Sequence, residues 1–588
     1  MSSPIRSLRA GTERWFLWLL ILFGLLVLRL IHIQVLRHRH YASAARQIQL
    51  RKFMLFAERG TIFDRNGTKL AVSAMRRTVF GDPSLVRHPR GAADILAPLL
   101  HLDPAEVAGK LARRRDEHGR KICYVVLKRR VADATATRIM ALLKPRRDPK
   151  SRRLISGLPG IGLQLEPQRQ YPKGMLAAHT IGFVGDGDQG PVGRGGLEAS
   201  LGRVLAGRNG YLEAEIDRHG GIIPGRRLEE RPAVNGRDLV LSLDANLQQI
   251  AETQLRAAVE ENGARGGTIA IINPRSGDLL ALANEPAFDP NRYREYPSET
   301  WRNSAITCCY EPGSTFKLVA VSAAVEEGVV RPDDPIDCPG AMIIGSHTIH
   351  CAHGAHGHLT VAGVIEKSCN IGAAKIALKL GPEKFFRYLR RYGFGRAPKL
   401  GMGAEATGHV SADWRNWKDI QLANMAFGQS ISVTPIQLLT AYCAIANDGK
   451  LPRVHLVERI AGEPQGSLHH QPRPVVSLKT ARIMRSMLEQ VVSTGTGKAA
   501  QIDGYRIAGK TGTAQKPVPG VGFRSGKFIG SFLGFVPADD PRLAIIVVID
   551  EPTGSHYGAV VAAPAFRQVA LQALSYLNVP PTAVAQAR

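Results

Sequence analysis

Ser314 and Lys317 stand three residues apart in Glu311-Pro312-Gly313-Ser314-Thr315-Phe316-Lys317, a spacing that sets a hydroxyl beside an amine. A serine hydroxyl is a weak nucleophile at neutral pH and needs a neighbouring base. Positions i and i+3 of a helix share a face, so Lys317 can reach the Ser314 hydroxyl if a helix begins here. Pro312 and Gly313 suit a turn into such a helix, and Leu318 to Val325 continues it with apolar residues. A serine at a helix start also lies near unpaired backbone N–H groups, which favour developing negative charge. Lysine is a base only when neutral, so its pKa must fall by roughly 3 units from ~10.4, through burial or a second ammonium nearby. This is the chemistry of acyl transfer through a serine ester.

Two further motifs follow in order, Ser368-Cys369-Asn370 and Lys510-Thr511-Gly512-Thr513. Each of the three motifs alone is weak, because an ordinary helix start or turn supplies it. Their order and flanks carry the reading. In it Lys317 is the acylation base, and Ser368 relays the proton to a leaving amine. Asn370 hydrogen-bonds Lys317 and the substrate's amide. Lys510 supplies the second ammonium and, with Thr511, receives a substrate carboxylate. The N–H groups of Ser314 and Thr513, the latter just after Gly512, form an oxyanion hole, a feature worth ~3–4 kcal/mol per donor. Gly504 to Thr511 also matches the phosphate-binding pattern G-x-x-x-x-G-K-[ST]. That loop should follow a buried strand and open a helix, and Gly512 to Pro517 does not look helical. The match is accidental.

With these motifs the chain resembles the class B penicillin-binding proteins, the monofunctional peptidoglycan D,D-transpeptidases. The resemblance covers roughly residues 15 to 575. Arg59 to Gly67 with Leu70-Ala71, Arg169 to Pro172 with His179 to Gly185, and Gly196-Leu197-Glu198 with Leu205 to Gly207 resemble the family's three pedestal motifs. Their glycines and buried-looking charges read as architecture. The third is abbreviated around Val192 to Glu198, and Cys369 is a mild departure in the middle catalytic motif. Glu311 to Lys317, Ala508 to Lys516 and Tyr557 to Phe566 are most similar to the septal, cell-division type (FtsI).

The resemblance implies a bitopic inner-membrane enzyme that cross-links peptidoglycan at the septum. A donor stem peptide's D-Ala-D-Ala bond acylates Ser314, D-Ala leaves, and an amine of a neighbouring stem resolves the ester. β-Lactams would acylate the same serine. No organic cofactor or metal is implied, and the expected partners are a SEDS-type glycan polymerase and other division proteins. The elongation-type transpeptidase differs only in motif flanks. A D,D-carboxypeptidase or β-lactamase uses the same three motifs, but a long pedestal and an anchor argue against a small hydrolase. From a different class come a catalytically silent scaffold and a penicillin sensor. Intact motifs weigh against the scaffold, and the fourteen residues before the apolar run weigh against the sensor.

The elements that must position this chemistry are less directly legible. A chain of 588 residues with 44% hydrophobic content exceeds a single domain and can bury at least one large core. Trp15 to Leu28 is an unbroken apolar run that extends to Leu36 past Arg29 and His32. A spanning helix needs ~20 residues, and Arg29 can snorkel to the interface. The rival is a cleaved signal peptide, for which Ala42-Ser43-Ala44 offers a cleavage-like pattern, though Arg37 to His40 intervene. Basic residues flank the run on both sides, so charge does not settle its orientation. The family places the amino terminus in the cytoplasm and the remainder outside it.

The net charge of +27 gathers at Arg113 to Arg115, Lys128 to Arg130, Arg146-Arg147 and Arg152-Arg153. Without interleaved aromatics or a DNA-binding motif, these are solvated faces, with attraction to anionic lipid or acidic wall polymer as the alternative, and nucleic acid is not a partner. Of the seven cysteines, Cys338 and Cys351 are expected to form a disulfide around a hairpin. His347, His350, His353, His356 and His358 crowd the same stretch and, with the two cysteines, have a composition that could ligate zinc; without regular ligand spacing, no metal is expected there. Cys308 and Cys309 read as core.

The expected division is a tail (1–14), an anchor (15–36), a pedestal (37–235), a catalytic domain (236–578) and a second tail (579–588). In the catalytic domain Asp244 caps a helix to about Asn262, and Pro274 to Gly277 turns a hairpin. Helices follow after Ser314, Thr360, Pro382, Thr434 and Thr480, and strands resume near Tyr505, Phe528 and Leu543. Strands at both ends with helices between predict an α+β domain, one antiparallel sheet flanked by helices.

Overall fold

The computed structural model describes residues 5–41, 50–144, 146–147, 154–155, 157–187, 190–216, 222–352, 354–464, 471–517, 520, 522 and 526–581. His353, the Ala42-Ser43-Ala44 pattern and most of the 579–588 tail lie outside the described residues. The amino-terminal helix runs Ile5–Ile31 and continues as a π-helical turn His32–Leu36. Its segment Trp15–Leu36 contains an 18-residue window of mean hydropathy 2.5, none of it buried, and is long and apolar enough to cross a membrane.

The chain folds as two units. The first holds residues 1–57, 75–166 and 208–234. In it the strand Gly210–Ile216 lies between Leu50–Leu55 and Ile222–Arg231, both antiparallel to it. Helices Pro89–Leu100 and Pro104–Ala112 bury Leu96, Leu100, Val107 and Leu111 in one core with Val79, Leu127 and Ile139.

The second unit holds residues 58–74, 167–207 and 235–588. The last crossing between units lies between Val234 and Asn235, and two upstream segments, 58–74 and 167–207, fold with residues 235–588. Buried charge explains why. Arg59 and Arg169, 4% and 8% exposed, close on fully buried Glu198, with Nε–Oε distances of 2.9 and 2.5 Å. Arg59 also donates to the Glu198 carbonyl at 2.9 Å. One residue from each pedestal-like motif therefore meets in a single ion triad. Asp64 and Asn66 of the first motif reach the start of the next helix, accepting from Ala245 N at 3.0 Å and donating to Asp244 Oδ2 at 2.9 Å, respectively.

That helix, α1 (Ala245–Glu261), is capped by Asp244, whose carboxylate accepts from Asn246 N and Leu247 N. Strands β1 (Gly266–Ile272) and β2 (Leu279–Glu285) form the expected hairpin, and β3 (Ala508–Gln515), β4 (Phe528–Val536) and β5 (Leu543–Asp550) complete a fully antiparallel sheet. Its order is β2-β1-β5-β4-β3, which leaves β3 at an edge. Side chains alternate across a strand. Ile269, Ile271, Val547 and Ile549 pack on the α1 side with Leu255 and Phe566. Ala270, Ile272, Ile546 and Val548 pack on the other side with Val319, Leu439 and Leu488. The strands are apolar throughout because helices cover both faces. The helix at Leu478–Ser493 buries Ala481, Met484, Met487, Leu488, Val491 and Val492, and its cap is Ser477, a little earlier than Thr480.

Candidate active site

Ser314 sits in a 3-10 turn, Gly313–Phe316, which feeds into the helix Lys317–Glu326. The expected α-helical start is tighter than a regular helix, and the difference matters. In a 3-10 turn residues i and i+3 eclipse each other, so the lysine lies directly over the serine. Lys317 Nζ is 2.9 Å from Ser314 Oγ. The turn is pinned on several sides. Thr315 Oγ1 donates to Pro312 O at 2.7 Å, and Tyr442 donates its hydroxyl to Thr315 O at 2.8 Å. Gly313 has φ +58° and donates its N–H to Gly428 O at 3.1 Å. A Cβ on Gly313 would fall 2.7 Å from Thr513 O, so glycine is what lets the Ser314 turn approach the edge strand.

Ser368 precedes the helix Asn370–Leu380 and has a left-handed backbone, φ +59°. A non-glycine residue in this region is strained, and the strain turns Ser368 toward the lysine. Lys317 Nζ lies 2.6 Å from Ser368 O, 3.1 Å from Ser368 Oγ and 2.8 Å from Asn370 Oδ1. The first two motifs are thus joined through one nitrogen.

Lys510 lies on β3 and, like Lys317, is fully buried. Among the described residues its hydrogen bonds stay within its own strand, to Thr511 O and Thr511 Oγ1, both at 3.4 Å. Thr511 Oγ1 is 3.1 Å from Thr496 Oγ1, and Thr513 Oγ1 accepts from Gly558 N at 3.2 Å. Gly512 pairs with Ser531, and a Cβ there would meet Ser531 Oγ at 2.5 Å and Thr315 Cγ2 at 2.8 Å. Because β3 is an edge strand, alternate backbone N–H groups on its outer side are not used by the sheet. The P-loop match ending at Thr511 runs into this strand, as its rejection required.

Burial pushes the Lys317 amine down from its ordinary range to about 7. It pushes Lys510 well down too, and the charge of Lys317 adds to that shift. Burial and a second ammonium were both expected to depress Lys317; of the two, burial is the cause of its shift.

The disulfide expected between Cys338 and Cys351 is not formed, and all seven cysteines are free. The His356 ring stands against both thiols, Nδ1 lying 3.5 Å from Cys338 Sγ and 3.4 Å from Cys351 Sγ. The hairpin between the two cysteines does form, Ala341–Ile344 against His347–His350. Cys308 is half-buried and Cys309 exposed, so the core reading of that pair does not hold: neither is among the buried residues. The sequence reading missed Thr496, Gly428 and the left-handed Ser368. Only the glycine-rich Thr494-Gly495-Thr496-Gly497 run offered a signal for the first. A cleft of about 820 Å³ against Arg65, Asn66, Asp244 and Tyr576 contains no residue of the motifs of Ser314, Ser368 and Lys510.

The penicillin binding protein transpeptidase domain family model matches residues 267–571, and the penicillin-binding protein dimerisation domain model matches residues 55–241. The chain is 33% identical to the probable peptidoglycan D,D-transpeptidase PenA of Neisseria meningitidis over 567 residues, 96% of this chain and 92% of that protein. It is 32% identical to the peptidoglycan D,D-transpeptidase FtsI of Escherichia coli over 574 residues, again 96% and 92% of the two chains. Among solved structures it is similar to penicillin binding protein 3 of Mycobacterium tuberculosis complexed with aztreonam, at 28% identity and TM-score 0.67, covering 90% of this chain and 98% of that one.

Proposed function

The chain belongs to the class B penicillin-binding proteins and is a peptidoglycan D,D-transpeptidase, and on that premise we propose that it works at the division septum through Ser314, anchored in the inner membrane by Trp15–Leu36 with its catalytic unit outside the cytoplasm. The observation that carries the mechanism is the single nitrogen of Lys317 held among Ser314, Ser368 and Asn370.

A neutral amine has two N–H groups and one lone pair. Donating to Ser368 O and Asn370 Oδ1 uses both N–H groups and turns the lone pair to the Ser314 hydroxyl. Ser314 Oγ then attacks the carbonyl of the penultimate D-Ala while its proton passes to Lys317. The C–N bond breaks, the proton reaches the leaving amine through Ser368, and D-Ala departs. An amine of a neighbouring stem attacks the ester, returns its proton along the same path and frees Ser314. The N–H groups of Ser314 and of Thr513 hold the oxyanion. Lys510 and Thr511 take the stem's carboxylate, which gives the buried Lys510 the counter-charge that its own strand does not provide. β-Lactams enter at the same serine. The domain limits are a tail, the anchor, a pedestal to 235 and the catalytic domain from 236, with a SEDS-type polymerase and other division proteins as partners.

The similarity to FtsI along 96% of the chain supports the septal role. Two experiments test the reading. Ser314→Ala abolishes covalent labelling by a fluorescent penicillin, and stoichiometric labelling of that variant overturns the nucleophile. Depleting the protein produces filaments; rounded cells assign it to elongation instead.

A further inference from the structure

We propose that Cys338, Cys351, His356 and Cys369 form a closed structural Zn²⁺ site that holds the Ser368-Cys369-Asn370 motif in place. The four residues come from four separate segments. Cys338 ends the strand Pro335–Cys338, Cys351 follows the hairpin strand His347–His350, His356 precedes the strand Gly357–Thr360, and Cys369 caps the helix Asn370–Leu380. Their Sγ and Nδ1 atoms nevertheless all lie within 4.8 Å of one another.

The spacings decide between a bridge and a metal. Cys351 Sγ is 3.7 Å from Cys369 Sγ, and His356 Nδ1 is 3.4 and 3.5 Å from Cys351 and Cys338. A disulfide needs about 2.05 Å between sulfurs. Zn–S bonds of about 2.3 Å and Zn–N bonds of about 2.0 Å at tetrahedral angles give edges of about 3.8 Å between sulfurs and about 3.5 Å between sulfur and nitrogen. These three edges fit the tetrahedron, and the other three lie within 4.8 Å. Three thiolates and one imidazole select Zn²⁺ over hard cations that prefer oxygen. Four protein ligands leave no open position for substrate or water, which makes the site structural.

The surroundings suit thiolates. Cys338 and Cys369 are fully buried and Cys351 is 6% exposed. Gly372 N donates to Cys369 Sγ at 3.2 Å and Asn370 N to Cys351 Sγ at 3.3 Å, the kind of outer contact that orients metal ligands. Cys369 stands between the two residues that hold Lys317. Fixing its sulfur fixes the strained Ser368 backbone on one side and Asn370 on the other. Asn370 Nδ2 donates to His350 O at 3.2 Å, a second tie to the same hairpin. The ligands therefore act as positioning residues, and this inference does not depend on the septal role.

The full chain, purified in detergent without chelator, should carry about one zinc per molecule by elemental analysis. Cys338→Ser and His356→Ala should each lower that content about tenfold or more, while His347→Ala, an exposed histidine of the same hairpin, keeps it. Should the variants fail to fold, the unaltered protein still decides. Replacement of its zinc by Co²⁺ should give thiolate-to-cobalt charge-transfer bands and the visible bands of a tetrahedral ion. Removing the metal should slow penicillin acylation without changing the final stoichiometry of labelling, and added Zn²⁺ should restore the rate. A metal-free protein that takes up neither Zn²⁺ nor Co²⁺ overturns the proposal. So does an intact mass two hydrogens low with a mapped bridge between any two of the three cysteines.

Discussion

The second unit buries two pairs of cations, and it treats them in opposite ways. Arg59 and Arg169 share the carboxylate of Glu198, at 2.7 and 2.5 Å, with all three side chains within 3% of full burial. Lys317 and Lys510 are buried as deeply, yet among the described residues their hydrogen-bond partners are all neutral oxygens. Removing a charge from water is costly unless a partner compensates it. Arginine cannot shed its proton, so a buried pair of arginines needs the acid. Lysine can, and burial without an acid brings Lys317 down to about 7 and Lys510 well below its ordinary range. The triad holds architecture together with charge that never changes; the lysine pair keeps a proton that can move.

The largest effect should come from Lys317→Met, which removes the proposed base but leaves an apolar side chain of similar length. Acylation by a fluorescent penicillin should slow by about 10²–10⁴-fold in stopped flow. Thermal stability should stay level or rise, since a buried amine without a counter-ion is gone; a marked fall would mean that Lys317 is structural and would erase the contrast. Glu198→Gln is the mirror test. It leaves two buried guanidinium groups without their acid and should cost about 3–5 kcal/mol in denaturant unfolding. Unchanged stability would break the comparison from the other side.

The pH profile sharpens it further. In the proposed mechanism the acting base is neutral Lys317, whose pKa burial lowers to about 7. The acylation rate should therefore rise about tenfold per unit below that point and level off above it. A flat profile between pH 5 and about 9 would remove lysine from the proton path. The smallest effect concerns Lys510→Met. Substrate-carboxylate recognition should suffer, but the midpoint of the profile should move by less than about half a unit, because burial sets it. A fall of the midpoint by a unit or more on restoring the ammonium would reinstate the second charge as the cause.

Legibility in the sequence followed the range of the interaction. Asp244 announced its helix because the capping carboxylate sits beside the N–H groups it accepts from. Pro274 to Gly277 announced the β1–β2 hairpin for the same local reason. The arginine–glutamate triad was read only as buried-looking charge, since Arg59, Arg169 and Glu198 are far apart in the chain and no local pattern pairs them. Cys338 and Cys351 were read as a disulfide because spacing alone cannot show a histidine ring between two thiols. The 3-10 turn at Ser314 and the left-handed Ser368 escaped for a related reason: packing imposes both against the ordinary preference of those residues.

The sequence by itself determined which groups are proposed to react. Ser314, Lys317, Ser368, Asn370 and Lys510 stand in an ordered set of motifs, and residue type with short spacing is enough to name a nucleophile and its base. The tertiary structure alone decided their state. Whether an amine is neutral depends on how much water surrounds it and which charges lie near. Those quantities arise only when the Lys317 helix, the Asn370 helix and β3 close on one another across nearly two hundred residues of chain.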